Sequence, residues 1–167
     1  MKLVEVLSSD YEIRNYDKLD KILVELCNEI IEGQKTDPDM YGMVAACVLD
    51  PDNNQILSTS TNVDGKWKHA ERNAIEIYEK TYGKIPEGSI ILTTLSPCNK
   101  HMDDREGAPC ATLIEQAGVF KVYCGYIDPT QNHGKEDHRH FNLMETQNAQ
   151  IRELCESFAD TFLNKID

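Results

Sequence analysis

Between Tyr16 and Gly33 the apolar positions Leu19, Ile22, Leu23, Leu26, Ile30 and Ile31 recur every three or four residues. That spacing lines one face of a helix, and Gly33 reads as its stop. Met43 to Leu49 is a short apolar run, closed by the turn-forming Asp50-Pro51-Asp52-Asn53-Asn54. Gln55 to Ser60 reads as its antiparallel partner. The period returns to helical from His69 to Tyr82, with Ala70, Ala74, Ile77 and Tyr78 on one face. Ser89 to Leu95 is a buried strand, β-branched at Ile90, Ile91, Thr93 and Thr94. Pro109 to Ala117 reads as a helix that opens on proline and ends at Gly118. Val119 to Tyr126 is a further apolar strand, closed by Asp128-Pro129. Asn148 to Leu154 reads as a last strand and Glu156 to Ile166 as a final helix. This alternation predicts an α/β fold, a mixed sheet with helices packed on its faces.

No internal repeat, low-complexity tract or linker divides the pattern, so 1–167 reads as a single domain. Its expected parts are an N-terminal helix at about 16–33, a core at about 40–130, and a C-terminal strand and helix at about 148–166. The length suits one domain able to bury a core. Hydrophobic residues at 40% and charged residues at 28% are ordinary for a soluble globular protein. No apolar run approaches the ~20 residues a membrane span requires. The stretch Met1 to Asp10 is too short and too acidic for a secretory signal, so the expected location is the cytoplasm.

Charge narrows the partners. The net charge is −12, and no basic stripe of the kind a polyanion binder carries is visible. The most basic stretch, His133 to His140, also holds Glu136 and Asp137. Long nucleic acid is therefore a poor candidate, and a small molecule, uncharged or singly phosphorylated, fits better. Of the six cysteines, Cys27, Cys47, Cys124 and Cys155 lie inside apolar segments and read as small buried hydrophobes. Cys98 and Cys110 lie in polar, proline-containing sequence that burial does not explain. In a cytosolic chain such a pair points to metal or catalysis rather than to a bridge.

Three segments carry the candidate chemistry: His69-Ala70-Glu71, Pro97-Cys98 and Pro109-Cys110. Each falls where a strand gives way to a helix or just before a helix opens. Free N–H groups there lower a thiol's pKa and favour the thiolate that zinc needs. One imidazole and two thiolates fill three tetrahedral positions and leave the fourth to water, which marks a catalytic site. Glu71 is placed to take a proton from that water and pass it on. Residues two apart do not share a helix face, so His69 and Glu71 can cooperate only in the first turn.

These residues resemble the zinc-dependent nucleoside, nucleotide and base deaminase superfamily, in which a histidine and two cysteines bind zinc and the glutamate is acid and base. The resemblance spans roughly residues 40 to 130. It implies a three-layer α/β/α cytidine deaminase-like fold around a mixed five-stranded sheet. It also implies one zinc ion per chain and a homodimer or homotetramer. The run Thr94-Leu95-Ser96-Pro97-Cys98, the stretch Ala108 to Ile114, Ala117-Gly118-Val119 and Ile127-Asp128-Pro129 are most similar to the pyrimidine deaminases of riboflavin biosynthesis. The helix opening His69-Ala-Glu-Arg-Asn73-Ala-Ile75 is closer to cytidylate and cytidine deaminases. The 11-residue spacer 99–109 is longer than either pattern.

The resemblance implies that Asn62 contacts a substrate's ribose or base, although asparagine is also ordinary turn chemistry. Asp128 is its candidate for a sugar contact. Trp67 either stacks on a flat ring or packs. The spacer is tethered to a ligand at each end and must border the pocket. Lys100, His101 and Arg105 are its candidate substrate contacts, although a charge run is usually a solvated loop. His133, His138 and His140 lack the helical or hairpin spacing of a second metal site, and Lys135 and Arg139 are weak candidates for a phosphate. The expected function is hydrolytic deamination of a free pyrimidine-type base, nucleoside or nucleotide, of riboflavin-pathway or cytidine/deoxycytidylate type. The alternatives are a polynucleotide-editing deaminase and a non-catalytic zinc-stabilised module in which Cys124 is a fourth ligand.

Overall fold

The computed structural model describes residues 18–99, 108–131 and 141–163. Among them the order is α1 (Lys18–Thr36), β1 (Tyr41–Leu49), β2 (Gln55–Val63), β3 (Lys66–Lys68), α2 (Ala70–Tyr82) and β4 (Ile90–Leu95). Then follow α3 (Cys110–Gln116), β5 (Lys121–Tyr126), β6 (Asn142–Glu145) and α4 (Ala149–Leu163). The strands form one sheet in the order β3-β2-β1-β4-β5-β6. β1 is antiparallel to both β2 and β4, while β4, β5 and β6 run parallel. The sheet is thus mixed, with six strands rather than the expected five.

Alternation along the strands builds a core on each face. Ala45, Cys47 and Leu49 of β1, with Leu92 and Tyr123, pack against Leu23, Leu26 and Ile30 of α1 and Ile151, Leu154 and Phe158 of α4. Ala46 and Val48, with Ile91 and Val122, pack on the other face against Ala74, Ile75 and Tyr78 of α2 and Ile114 of α3. The result is the three-layer α/β/α arrangement, with the period-2 pleat sending neighbouring residues to opposite cores.

Four sequence expectations are corrected. Gly33 does not stop α1, which continues to Thr36; it is small because a Cβ there would stand 2.8 Å from Cβ of Tyr41. β2 runs on to Val63, and Asp64-Gly65 turns the chain back into β3 with φ of 52° and 76°. Positive φ at both central residues is the geometry of a type I′ hairpin, for which Asp-Gly is favoured. Asn148 to Leu154 is not a strand: Asn148 Oδ1 accepts from the N–H groups of Gln150 and Ile151 at 3.1 Å and caps α4. The last described strand lies earlier, at β6. In α2, Ile77 is 44% exposed, because the buried face is set by Glu71, Ala74, Ile75 and Tyr78. None of the described helices is long and apolar enough to cross a membrane.

Candidate metal and catalytic site

The site gathers at the carboxyl ends of the parallel strands β4 and β5, where open α/β sheets characteristically leave a crevice. His69 is the N-cap of α2, with an extended backbone at φ −68° and ψ 147°. Its carbonyl accepts from Asn73 N–H at 3.0 Å, so the helix fixes the residue just outside its first turn. Lys68 pairs with Glu76 and braces β3 on the same helix. Cys110 is the first residue of α3, after the N-cap Pro109. Cys98 sits differently from the expectation of a helix start. It follows β4 in a non-helical segment, held because Ser96 N–H donates to Tyr126 carbonyl at 2.9 Å and Ala111 N–H donates to Cys98 carbonyl at 3.1 Å.

These three residues form a potential metal-ligand group, their donor atoms all within 4.8 Å of one another. Nδ1 of His69 lies 3.5 Å from Sγ of Cys98 and 3.3 Å from Sγ of Cys110. A tetrahedral zinc with bonds of about 2.3 Å to sulfur and 2.0–2.1 Å to nitrogen sets an edge of about 3.6 Å. The donor set therefore fits zinc in both spacing and chemistry. The Cys98 thiol is held well below its ordinary range, chiefly by its hydrogen bond with the Cys110 thiol and also by His69 and the Cys110 N–H. The same coupling, with burial, pushes the Cys110 thiol up. Without a metal the pair thus parts with one proton readily and keeps the other.

Glu71 occupies the first turn of α2, buried, one residue beyond Ala70. Burial raises its carboxyl to about 7, Cys98 adds to the rise, and His69 and the Cys110 thiol oppose it. Its side chain lies beside the Cys110 thiol, and its Oε1 is buried with no hydrogen-bond partner among the described residues. Asn62 stands in β2 opposite Trp67 of β3, not at a strand-to-loop junction. Its Nδ2 donates to Asp39 carbonyl at 3.2 Å, while Oδ1 is buried without a partner among the described residues. Trp67 is 45% exposed and lays its ring against Gly42, where a Cβ would stand 3.0 Å from Cζ3.

Asp128 is buried and already engaged: Oδ1 accepts from Thr130 N–H at 2.8 Å and from Thr130 Oγ1 at 2.7 Å. Its own N–H donates to Ser96 Oγ at 2.8 Å, which ties the turn after β5 to the segment before Cys98. Lys100, His101 and Arg105 lie outside the described residues, as do His133, Lys135, His138, Arg139 and His140. Cys124, the alternative fourth ligand, is buried in β5 and is no part of the ligand group. Cys27, Cys47 and Cys155 are buried free thiols, as expected.

Sequence reading missed three supporting residues. Asn73 donates from Nδ2 to Thr59 carbonyl at 3.0 Å and Thr61 Oγ1 at 3.2 Å, locking α2 to β2. Gln131 Oε1 accepts from Asn99 N–H at 2.8 Å, beside Cys98. Arg72 Nη2 donates to Ala108 carbonyl at 2.8 Å. The signal for Asn73 was a polar residue on an otherwise apolar helix face; Gln131 and Arg72 carried none.

The family described as the cytidine and deoxycytidylate deaminase zinc-binding region matches residues 18–126, more than half of the chain. No curated protein matches it. Among solved structures it is similar to a diaminohydroxyphosphoribosylaminopyrimidine deaminase/5-amino-6-(5-phosphoribosylamino)uracil reductase of Thermotoga maritima. That likeness has 25% identity and TM-score 0.63 over 87% of this chain and 42% of that chain. The chain thus spans about two fifths of the Thermotoga protein. The Rib2 deaminase of Aspergillus oryzae is 14% identical, TM-score 0.54, over 83% of this chain and 99% of that one. The dCMP deaminase of cyanophage S-TIM5 is 20% identical, TM-score 0.51, over 75% and 98%. These last two likenesses show the fold. A histidine, two cysteines and an inward glutamate on this fold, within the matched region, agree with the sequence: the chain belongs to the cytidine and deoxycytidylate deaminase zinc-binding family.

Proposed function

We propose that the protein is a zinc-dependent hydrolytic deaminase of a free pyrimidine-type base, nucleoside or nucleotide, holding one zinc per chain through His69, Cys98 and Cys110. The carrying observation is Glu71, buried against the Cys110 thiol with Oε1 unpartnered among the described residues. A buried carboxyl oxygen without a donor is costly, and a catalytic acid–base group is a reason to keep one. Zinc, when bound, supplies the Lewis acidity that brings a water to nucleophilic strength near neutral pH. Glu71 Oε1 takes the water's proton as its oxygen adds to the ring carbon bearing the exocyclic amine. The same carboxyl passes that proton to the ring nitrogen, then takes the remaining proton of the added hydroxyl and hands it to the departing nitrogen. The C–N bond breaks, a carbonyl replaces the amine, and ammonia leaves. Burial raises this carboxyl from its ordinary range, the direction that suits a group which must donate as well as accept a proton.

Three observations bear on the substrate. The likeness to the Thermotoga bifunctional protein favours the aminopyrimidine of riboflavin biosynthesis, while the cytidine and deoxycytidylate family match keeps cytidine and deoxycytidylate in play. The net charge of −12 favours a small substrate over a polynucleotide. A structural zinc site takes four protein ligands, and among the described residues this group has three.

The test is ammonia release by zinc-loaded protein over cytosine, cytidine, cytidylates, guanine, adenosine and the riboflavin-pathway aminopyrimidine. Glu71→Ala is expected to abolish release, by at least about 10²-fold, while metal analysis still finds one zinc per chain. Absence of release from every compound, or a Glu71→Ala protein as active as its parent, overturns the proposal.

A further inference from the structure

Three buried polar atoms have no partner among the described residues: Asn62 Oδ1, Glu71 Oε1 and Arg72 Nε. The proposed chemistry uses Glu71, and Asn62 is already a candidate substrate contact. Arg72 is unused, yet its half-buried guanidinium spans from the first turn of α2 to the carbonyl of Ala108. That carbonyl lies two residues before Cys110.

Cys110 N–H donates to Cys98 Sγ at 3.4 Å and Ala111 N–H to Cys98 carbonyl at 3.1 Å, so the start of α3 is held to the end of the β4 segment. Toward α2, the Cys110 Sγ meets Nδ1 of His69 at 3.3 Å, and Ala111 and Ile114 share a core with Ala70 and Ala74. Arg72 adds a bond from α2 to the backbone that leads into α3, 2.8 Å from Nη2 to the Ala108 oxygen and across 36 residues of chain. The spacer before Cys110 is 11 residues long, so bringing Cys110 to Cys98 costs loop-closure entropy that contacts at its ends must offset. The guanidinium keeps this position with its Nε unmet; the bond to Ala108 offsets that loss.

We infer that Arg72 is a positioning residue: it clamps the α3 start to α2 so that the Cys110 thiol stands opposite His69 before any metal arrives. The inference rests on the zinc reading above. It concerns how the ligand set is preorganised and leaves the transferred group and the substrate open. A partner bond outside the ligand set commonly changes metal affinity by about 10–100-fold.

The test compares parent, Arg72→Met and Arg72→Lys proteins by zinc affinity in competition with a chromophoric chelator. Cobalt-substituted spectra and amide hydrogen exchange of the metal-free forms complete it. Arg72→Met is expected to bind zinc about 10-fold or more weakly, with reduced thiolate-to-cobalt absorption. Its Cys110 and Ala111 amides are expected to exchange faster, while those of β4 do not change. Arg72→Lys, which restores one donor, is expected to recover part of the affinity. Unchanged affinity and unchanged exchange in Arg72→Met overturn the inference. So does loss of affinity accompanied by faster exchange throughout the sheet, since that is general destabilisation. If Arg72→Met does not fold, Arg72→Gln, whose shorter side chain falls short of Ala108, carries the same comparison, and parent-like affinity and exchange in it overturn the inference. A parent protein that takes up no zinc sinks the deaminase reading alone, because the exchange measurement still reads the clamp.

Discussion

Asp50 shows how one side chain can close a turn and anchor a helix together. Its Oδ1 accepts from the N–H groups of Asp52 and Asn54 at 2.9 Å, and its Oδ2 from Asn54 Nδ2 at 2.9 Å and Tyr78 Oη at 2.8 Å. Burial alone would raise this carboxyl, but those hydrogen bonds outweigh it and hold the pKa below the ordinary 3.8. A carboxylate lowered in the folded state stabilises above its unfolded pKa and ceases to do so as pH falls through the folded one. The denaturation midpoint should therefore decline below about pH 4, and Asp50→Asn should flatten that decline in urea melts at stepped pH. Tyr78, pushed up to about 12 by burial and by Asp50, acts in the opposite window. Its contribution is full below pH ~10 and fades above. Tyr78→Phe should remove that alkaline slope and lower Tm by about 2–4 °C, the loss of one hydrogen bond in a chain of this size. Asp50 and its turn were legible in Asp-Pro-Asp-Asn-Asn; its hold on Tyr78 was not, because no local pattern reports a contact across 28 residues.

Among the elements, the β2–β3 hairpin decides most about the site's surroundings. It sets Asn62 opposite Trp67 and delivers the chain to His69. Gly65 at φ 76° makes the turn possible. A branched side chain there costs about 1–2 kcal/mol, so Gly65→Val is expected to lower Tm by about 2–6 °C. It should also weaken substrate binding more than it weakens zinc binding, to be checked by calorimetric melting beside KM and metal content. The Asp-Gly signal stood in the sequence, but Gln55 to Ser60 looked complete as a strand and its extension lacks apolar alternation. The opposite error arose at Asn148, where the three apolar residues Ala149, Ile151 and Leu154 were too few to separate a helical period from a strand. The long helices α1 and α2 were legible because burial repeated over several turns.

For the molecule as a whole, a charge of −12 on 167 residues means self-repulsion in the compact state. Added monovalent salt should screen it, so Tm is expected to rise by a few degrees between 0.02 and 0.3 M sodium chloride, read by scanning calorimetry. A fall over that range would mean that attractive ion pairs dominate instead. The sequence disclosed the layer order and pointed to the residues of the candidate ligand group because both depend on short-range patterns. The count and order of strands depended on edge pairings that only the assembled sheet reveals.

The two faces of the sheet share a backbone but not a clientele. The core under α1 and α4 contains no residue of the His69, Glu71, Cys98 and Cys110 group and none adjacent to it in sequence. The opposite core holds Ala70 and Ala111, each next to a candidate ligand. Substitutions distant from one another add nearly independently, so lineages of this protein can drift, or be engineered for heat resistance, on one side of the sheet. The other side stays answerable to the candidate site.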